Sequence, residues 1–155
     1  MYDSVILRTV ARLMLPLLLL LSLFMLVRGH NLPGGGFIGG LLGASAIILQ
    51  IVAFGPAKAR AIIPIGYLGL AGVGLIVAAI PGIAGMAAGQ SYMLPYWLAQ
   101  PIPGIGKLGT PLVFDVGVYL TVIGVTAQLA LVLAEEPSLY PVERGPDAEP
   151  VPGEA

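Results

Sequence analysis

Four long apolar runs dominate this chain, separated by short segments in which glycine, proline and the few charges collect. A helix of about 20 residues crosses the hydrocarbon of a bilayer, so the pattern predicts four spans, at residues 5–27, 37–54, 62–80 and 111–134. The uncharged part of the first, Leu13 to Val27, reaches only about 22 Å at about 1.5 Å per residue. Arg8, Arg12 and Arg28 at its ends can snorkel to the headgroups while their stems stay in the membrane. Pro64 and Pro111 suit first-turn positions, where a missing N–H costs nothing. No small-residue cleavage site follows the first run, which therefore reads as an uncleaved anchor rather than a signal peptide.

Composition supports the same class. With 57% hydrophobic and 10% charged residues, the chain exceeds the roughly 45–50% apolar content of soluble domains. Only Lys107 and Asp115 carry charge between Arg60 and Glu135. The fold class expected is an all-α integral membrane protein with about four transmembrane helices, residues 1–136 forming one membrane domain. Lysine and arginine collect in short cytoplasmic segments. With the N-terminus inside, Arg8, Arg12, Lys58, Arg60 and Arg144 face the cytoplasm and only Arg28 and Lys107 face outward, so both termini are expected to be cytoplasmic.

The connecting segments differ in character. Residues 81–109 hold Pro81, Pro95, Pro101 and Pro103 with Tyr92, Tyr96 and Trp97, aromatic types that favour the headgroup level. Residues 91–100 read either as a stretch along the outer interface or on a partner, or as an ordinary loop. From Glu136 onward come five acidic residues, five prolines and one arginine without apolar periodicity. Residues 137–155 are therefore expected to be a disordered acidic, proline-rich tail. Cysteine is absent, which leaves no thiol or iron–sulfur chemistry. A single histidine with few intramembrane carboxylates makes no metal site, and a net charge of −1 points to no nucleic acid. Two nucleotide-like strings fail on context. Gly34 to Gly39 fits G-x-G-x-x-G but lies between apolar helices, and Leu108 follows Lys107 where a phosphate loop needs Ser or Thr.

The segment Gly29-His30-Asn31-Leu32-Pro33-Gly34-Gly35-Gly36-Phe37-Ile38-Gly39-Gly40 carries most of the functional signal. Lipid punishes unpaired backbone polar groups, so such a break must lie in the headgroups, within protein or beside water. Beyond it, Gly36, Gly40 and Ala44 recur at four-residue spacing, as do Gly39 and Gly43. The third span adds Gly66, Gly69 and Gly72, then Gly74, Ala78 and Gly82. Small residues so spaced let helix backbones approach closely in lipid. Two such stripes on one helix imply neighbours on two sides, some of them expected from other chains.

In the fourth span, Asp115, Tyr119 and Thr126 share one face, and Gly117, Thr121, Gly124 and Gln128 share nearly the opposite one. A helix built this way should be sandwiched. An ionisable residue within a span is a functional candidate, because an unpaired buried charge is costly. Asp115 reads either as a cation or proton site or as a carboxylate paired with a partner's base. His30 reads as a proton-linked group or as a structural hydrogen-bonder. Ser45 and Gln50 are expected to hydrogen-bond neighbouring helices.

Three strings carry a family likeness. Arg8-Thr9-Val10-Ala11-Arg12, then Arg28 through Gly40, then Pro111-Leu112-Val113-Phe114-Asp115-Val116-Gly117-Val118-Tyr119-Leu120 resemble the MnhB component of multisubunit Mrp-type Na+/H+ antiporters, over roughly residues 4–136. The resemblance implies a complex of several different membrane subunits in the bacterial plasma membrane, exchanging Na+ for protons without an enzymatic reaction or a cofactor. It assigns the glycine motif to Gly29, Asn31, Pro33, Gly34, Gly35, Gly36, Phe37, Gly39 and Gly40, and the carboxylate motif to Phe114 and Asp115. Phe37 would close the start of the second helix as a packing wedge, and a broken helix exposing carbonyls is one way to coordinate small cations. Candidate ion-path residues are Asp115, His30, Tyr119 and Thr126. Two roles remain open: a structural subunit holding larger transport subunits in register, or a contributor to the ion path. An MnhB-like component of a membrane-bound hydrogenase is an alternative assignment. A small homo-oligomeric channel is disfavoured, because no helix carries a repeated polar pore-lining stripe.

Overall fold

A computed structural model of the chain describes residues 4–29, 34–62, 65–92, 95–97 and 109–135. They form five helices: α1 (Val5–Gly29), α2 (Gly35–Phe54), α3 (Pro56–Arg60), α4 (Tyr67–Ala87) and α5 (Thr110–Glu135). All but α3 are long and apolar enough to span a membrane. His30, Asn31, Pro33, Pro64, Pro101, Pro103 and the tail from 136 lie outside the described residues.

The helices stand in a row, α1 against α2, α2 against α5, and α5 against α4, with α1 also touching α5 lightly and α3 touching α2 and α5. Alternating spans therefore bring Gly29, Gly35, Thr110 and the end of α4 to one end of the row. Val5, Phe54, α3, Tyr67 and Glu135 come to the other. An apolar core of Ile47, Ile51, Ala59, Tyr67, Ile123, Ala127 and Leu131 fills the α3 end, where the Tyr67 hydroxyl donates to the Ala59 carbonyl. Arg60 on α3 forms a two-pronged ion pair with Glu135 at the end of α5. The opposite end is packed with small residues instead.

The expected sandwich is present. Gly117, Thr121 and Gly124 of α5 lie against Ala78, Gly74 and Ala71 of α4, while Asp115 and Tyr119 meet Gly36 and Gly39 of α2. One expectation about the small stripes changes. Both stripes of α2 are met within the chain, Gly36 and Gly40 by α5 and Gly39 by α1, so the stripes by themselves do not require a foreign neighbour. A row has two broad open flanks, however, and on α4 a Cβ at Gly72 would meet nothing.

The third span is displaced from its expected place. It runs Tyr67–Ala87 and passes through Pro81, so Pro81 belongs to a helix and not to the outer segment. Hydropathy alone cannot see the two glycines that set its ends, Gly66 at φ 74 and Gly89 at φ 72, a left-handed region costly for other residues. The bonds Gly89 N–H to the Met86 carbonyl and Gln90 N–H to the Gly85 carbonyl close a Schellman cap. Pro81 costs the helix one donor, but its ring is buried. Pro111 falls in the first turn of α5, as expected. Ser45 departs from expectation: its hydroxyl returns to the Leu41 carbonyl of its own helix. Gln50 does bridge helices, donating to the Ala11 carbonyl at 3.0 Å. That bond falls where Pro16 deprives α1 of an N–H for the neighbouring Arg12 carbonyl.

Candidate functional site

Gly29, Gly35, Gly36, Gly39 and Gly40 of the glycine motif and Asp115 of the carboxylate motif converge where α1, α2 and α5 meet. Gly34, at φ 95, caps the N-terminus of α2 without a side-chain hydrogen bond. A Cβ added to Gly35 would fall on the backbone of Gly29, and one added to Gly36 on the Asp115 carbonyl. One at Gly40 would press on the Tyr119 carbonyl and Val122, and one at Gly39 on the Ser22 carbonyl. Side chains are excluded here because backbone approaches backbone, which is how helices gain dispersion contact when lipid offers no hydrophobic drive. The Asp115 backbone thus lies against the first turn of α2.

One turn along α5, the Tyr119 hydroxyl reaches Ser22 of α1. Ser22 is fully buried and donates its single proton to the Gly39 carbonyl at 2.7 Å. The 2.9 Å contact between Ser22 Oγ and the Tyr119 hydroxyl must therefore run from tyrosine to serine. The chain Tyr119 to Ser22 to Gly39 crosses three helices and satisfies a hydroxyl whose unbonded burial would cost several kcal/mol.

Ser22 escaped the sequence reading, although a signal existed. It is the one polar residue between Leu13 and Val27, and a lone hydroxyl in such a run needs a partner. Thr126 shares the face of Tyr119 but stands seven residues, about 10 Å, further along α5. Phe37 is half exposed. Phe114 instead lines a small cavity of about 140 Å³ with Pro81, Thr110 and Pro111. Beside it, Tyr96 and Thr110 exchange two hydrogen bonds, Thr110 N–H to the Tyr96 carbonyl at 2.9 Å and Tyr96 N–H to Thr110 Oγ1 at 3.0 Å. Tyr92 covers Gly82, and Tyr92, Tyr96 and Trp97 remain exposed. Tyr92, Tyr96 and Trp97 are thus tied to the α4–α5 end while much of each residue stays exposed.

The three-helix hydrogen-bond chain predicts a coupled pair. Ser22→Ala and Tyr119→Phe are each expected to lower thermal stability in detergent by about 0.5–1 kcal/mol. The double variant should lose clearly less than the two together; strictly additive losses would refute the bond.

A family model for a domain related to the MnhB subunit of Na+/H+ antiporters matches residues 6–128. The corresponding Na+/H+ antiporter component of Bacillus subtilis (strain 168) is 35% identical over 136 residues, covering 86% of this chain and 95% of that protein. The protein of the same description from Alkalihalophilus pseudofirmus is 37% identical over 136 residues, covering 86% and 94%. Among solved structures, the Mrp complex from Dietzia sp. DQ12-45-1b contains a chain that matches with a TM-score of 0.69 and 40% identity. The match covers 86% of this chain and 15% of that one, so the similar unit there is one part of a much longer polypeptide.

Proposed function

Because the chain belongs to the family of domains related to the MnhB subunit of Na+/H+ antiporters, we propose that it is a membrane subunit of a multisubunit Mrp-type antiporter. In that assembly Na+ leaves a bacterial cell in exchange for entering protons, and this chain contacts other membrane subunits through the open flanks of its helix row. The observation that carries the reading is the meeting of its two motif segments, Gly36 and Gly40 against Asp115 and Tyr119. Residues far apart in sequence form one joint, so the motifs describe a single structural element.

The joint has two tasks in this reading. It sets the spacing of α1, α2 and α5, and through them the surface offered to partner subunits. It also holds the Asp115 carboxylate at the outer end, beside the α2 N-terminus, where it bears on the ion path. Both termini are cytoplasmic, by the distribution of Arg8, Arg12, Lys58 and Arg60. Partial helix burial favours this role over a self-sufficient channel, since much of α1 is exposed apolar surface. Deleting the chain from its host is expected to abolish Na+-driven proton movement in inside-out vesicles, with recovery on re-expression. Unchanged exchange in the deletion strain would sink the reading.

A further inference from the structure

At the opposite end from the glycine joint, two cations converge on one ring. The Arg12 guanidinium on α1 and the Lys58 ammonium on α3 each lie 5.4 Å from the centroid of Phe54. Both side chains are exposed. Arg60, two residues from Lys58, is neutralised by Glu135. Among the described residues, Arg12 and Lys58 have only the Phe54 ring as a partner.

Distances to a shared centroid put the two charges at most about 11 Å apart, close to the Debye length of about 10 Å at 0.1 M salt. They therefore repel one another, and a ring quadrupole offsets only part of that. An anion placed between them would relieve it. Depth supplies the second observation. The uncharged stretch of α1 that begins at Leu13 spans about 22 Å against a hydrocarbon core of about 30 Å. Arg12 therefore stands at the edge of the hydrocarbon and not beyond it, and the Gln50 amide bonded to the Ala11 carbonyl marks the same polar level. The anion available at that depth is a lipid phosphate.

We propose that Arg12, Phe54 and Lys58 form a binding site for the phosphate of an anionic membrane lipid, in which the two cations grip the phosphodiester and the lipid's chains lie along the exposed face of α1. Phosphatidylcholine also has a phosphate, but its choline would meet the two cations with like charge. The site should therefore prefer phosphatidylglycerol. The inference depends on the membrane setting of the helices and not on the exchange reaction, so either can fail without the other.

The test uses Phe54→Trp combined with Trp97→Phe, which keeps an aromatic face between the cations and makes it the protein's one indole. The full chain is reconstituted by itself into vesicles of phosphatidylcholine containing a fraction of brominated phosphatidylglycerol or of brominated phosphatidylcholine, and indole quenching is compared. We expect at least threefold stronger relative binding of phosphatidylglycerol, falling to parity when Arg12→Gln and Lys58→Gln are added. Equal quenching by the two lipids overturns the proposal, as does a preference that survives the double substitution. Displacement by inorganic phosphate beyond that by chloride at matched ionic strength would assign the site to free phosphate and overturn the lipid reading. A preference seen only after truncation beyond Glu136 would make the acidic tail the natural occupant, with the same consequence.

Discussion

Gly36→Leu is expected to prevent assembly of the antiporter complex, and Na+/proton exchange in inside-out vesicles should disappear with it. The reason is steric and local. A Cβ at position 36 would already overlap the Asp115 carbonyl, and the obstacle is backbone, so no rotamer change relieves it. Overpacking commonly costs about 1–3 kcal/mol. Here α2 and α5 must separate as rigid bodies, which also pulls Gly39 from Ser22 and breaks the bond to Tyr119. Gly72→Leu is the matched control, since a Cβ there meets nothing in this chain. It should leave the chain's own thermal stability unchanged. Normal yield and exchange in Gly36→Leu would refute the packing account.

Asp115→Asn, by contrast, is expected to leave assembly intact and to reduce exchange about tenfold or shift its Na+ dependence, a change of about 1.4 kcal/mol in the barrier. Asparagine keeps the shape of the residue and its backbone contact with Gly36. It removes only the charge that a cation or proton could use. Complex yield on size exclusion, read beside exchange in vesicles, separates the outcomes. Lost assembly would make Asp115 a structural pairing group. Unchanged exchange would exclude its carboxylate from the ion path.

Much of this was legible in the residues alone, for identifiable reasons. Asp115 and Tyr119 fall on one face of α5, with Gly117, Thr121 and Gly124 on the other, because a helix has a fixed period. That arithmetic required a sandwich before any neighbour was known. The ends of α2 and α5 were also readable, because Pro111 and the glycine run interrupt hydropathy sharply. The start of α4 was not. Residues 62–66 are as apolar as the helix itself, and the boundary shows only in the positive φ of Gly66. Pro81 misled in the other direction, since a buried proline ring within lipid-spanning helix is tolerated once the rest of the turn is packed.

The apolar runs by themselves determined that four helices cross a membrane, because apolar length and the cost of unpaired backbone in hydrocarbon are properties of the chain and its solvent. Composition likewise set the small-residue stripes. Only the tertiary structure decided which stripe met which helix, since α1, α2, α5 and α4 could stand in several orders with the same periodicities. It was also what brought Ser22 to Gly39, 17 positions away, and to Tyr119, 97 positions away, and Arg12 to the ring that Lys58 shares. Those contacts depend on helix register and crossing, which are fixed by backbone-to-backbone fit at a few glycines and leave no mark in hydropathy.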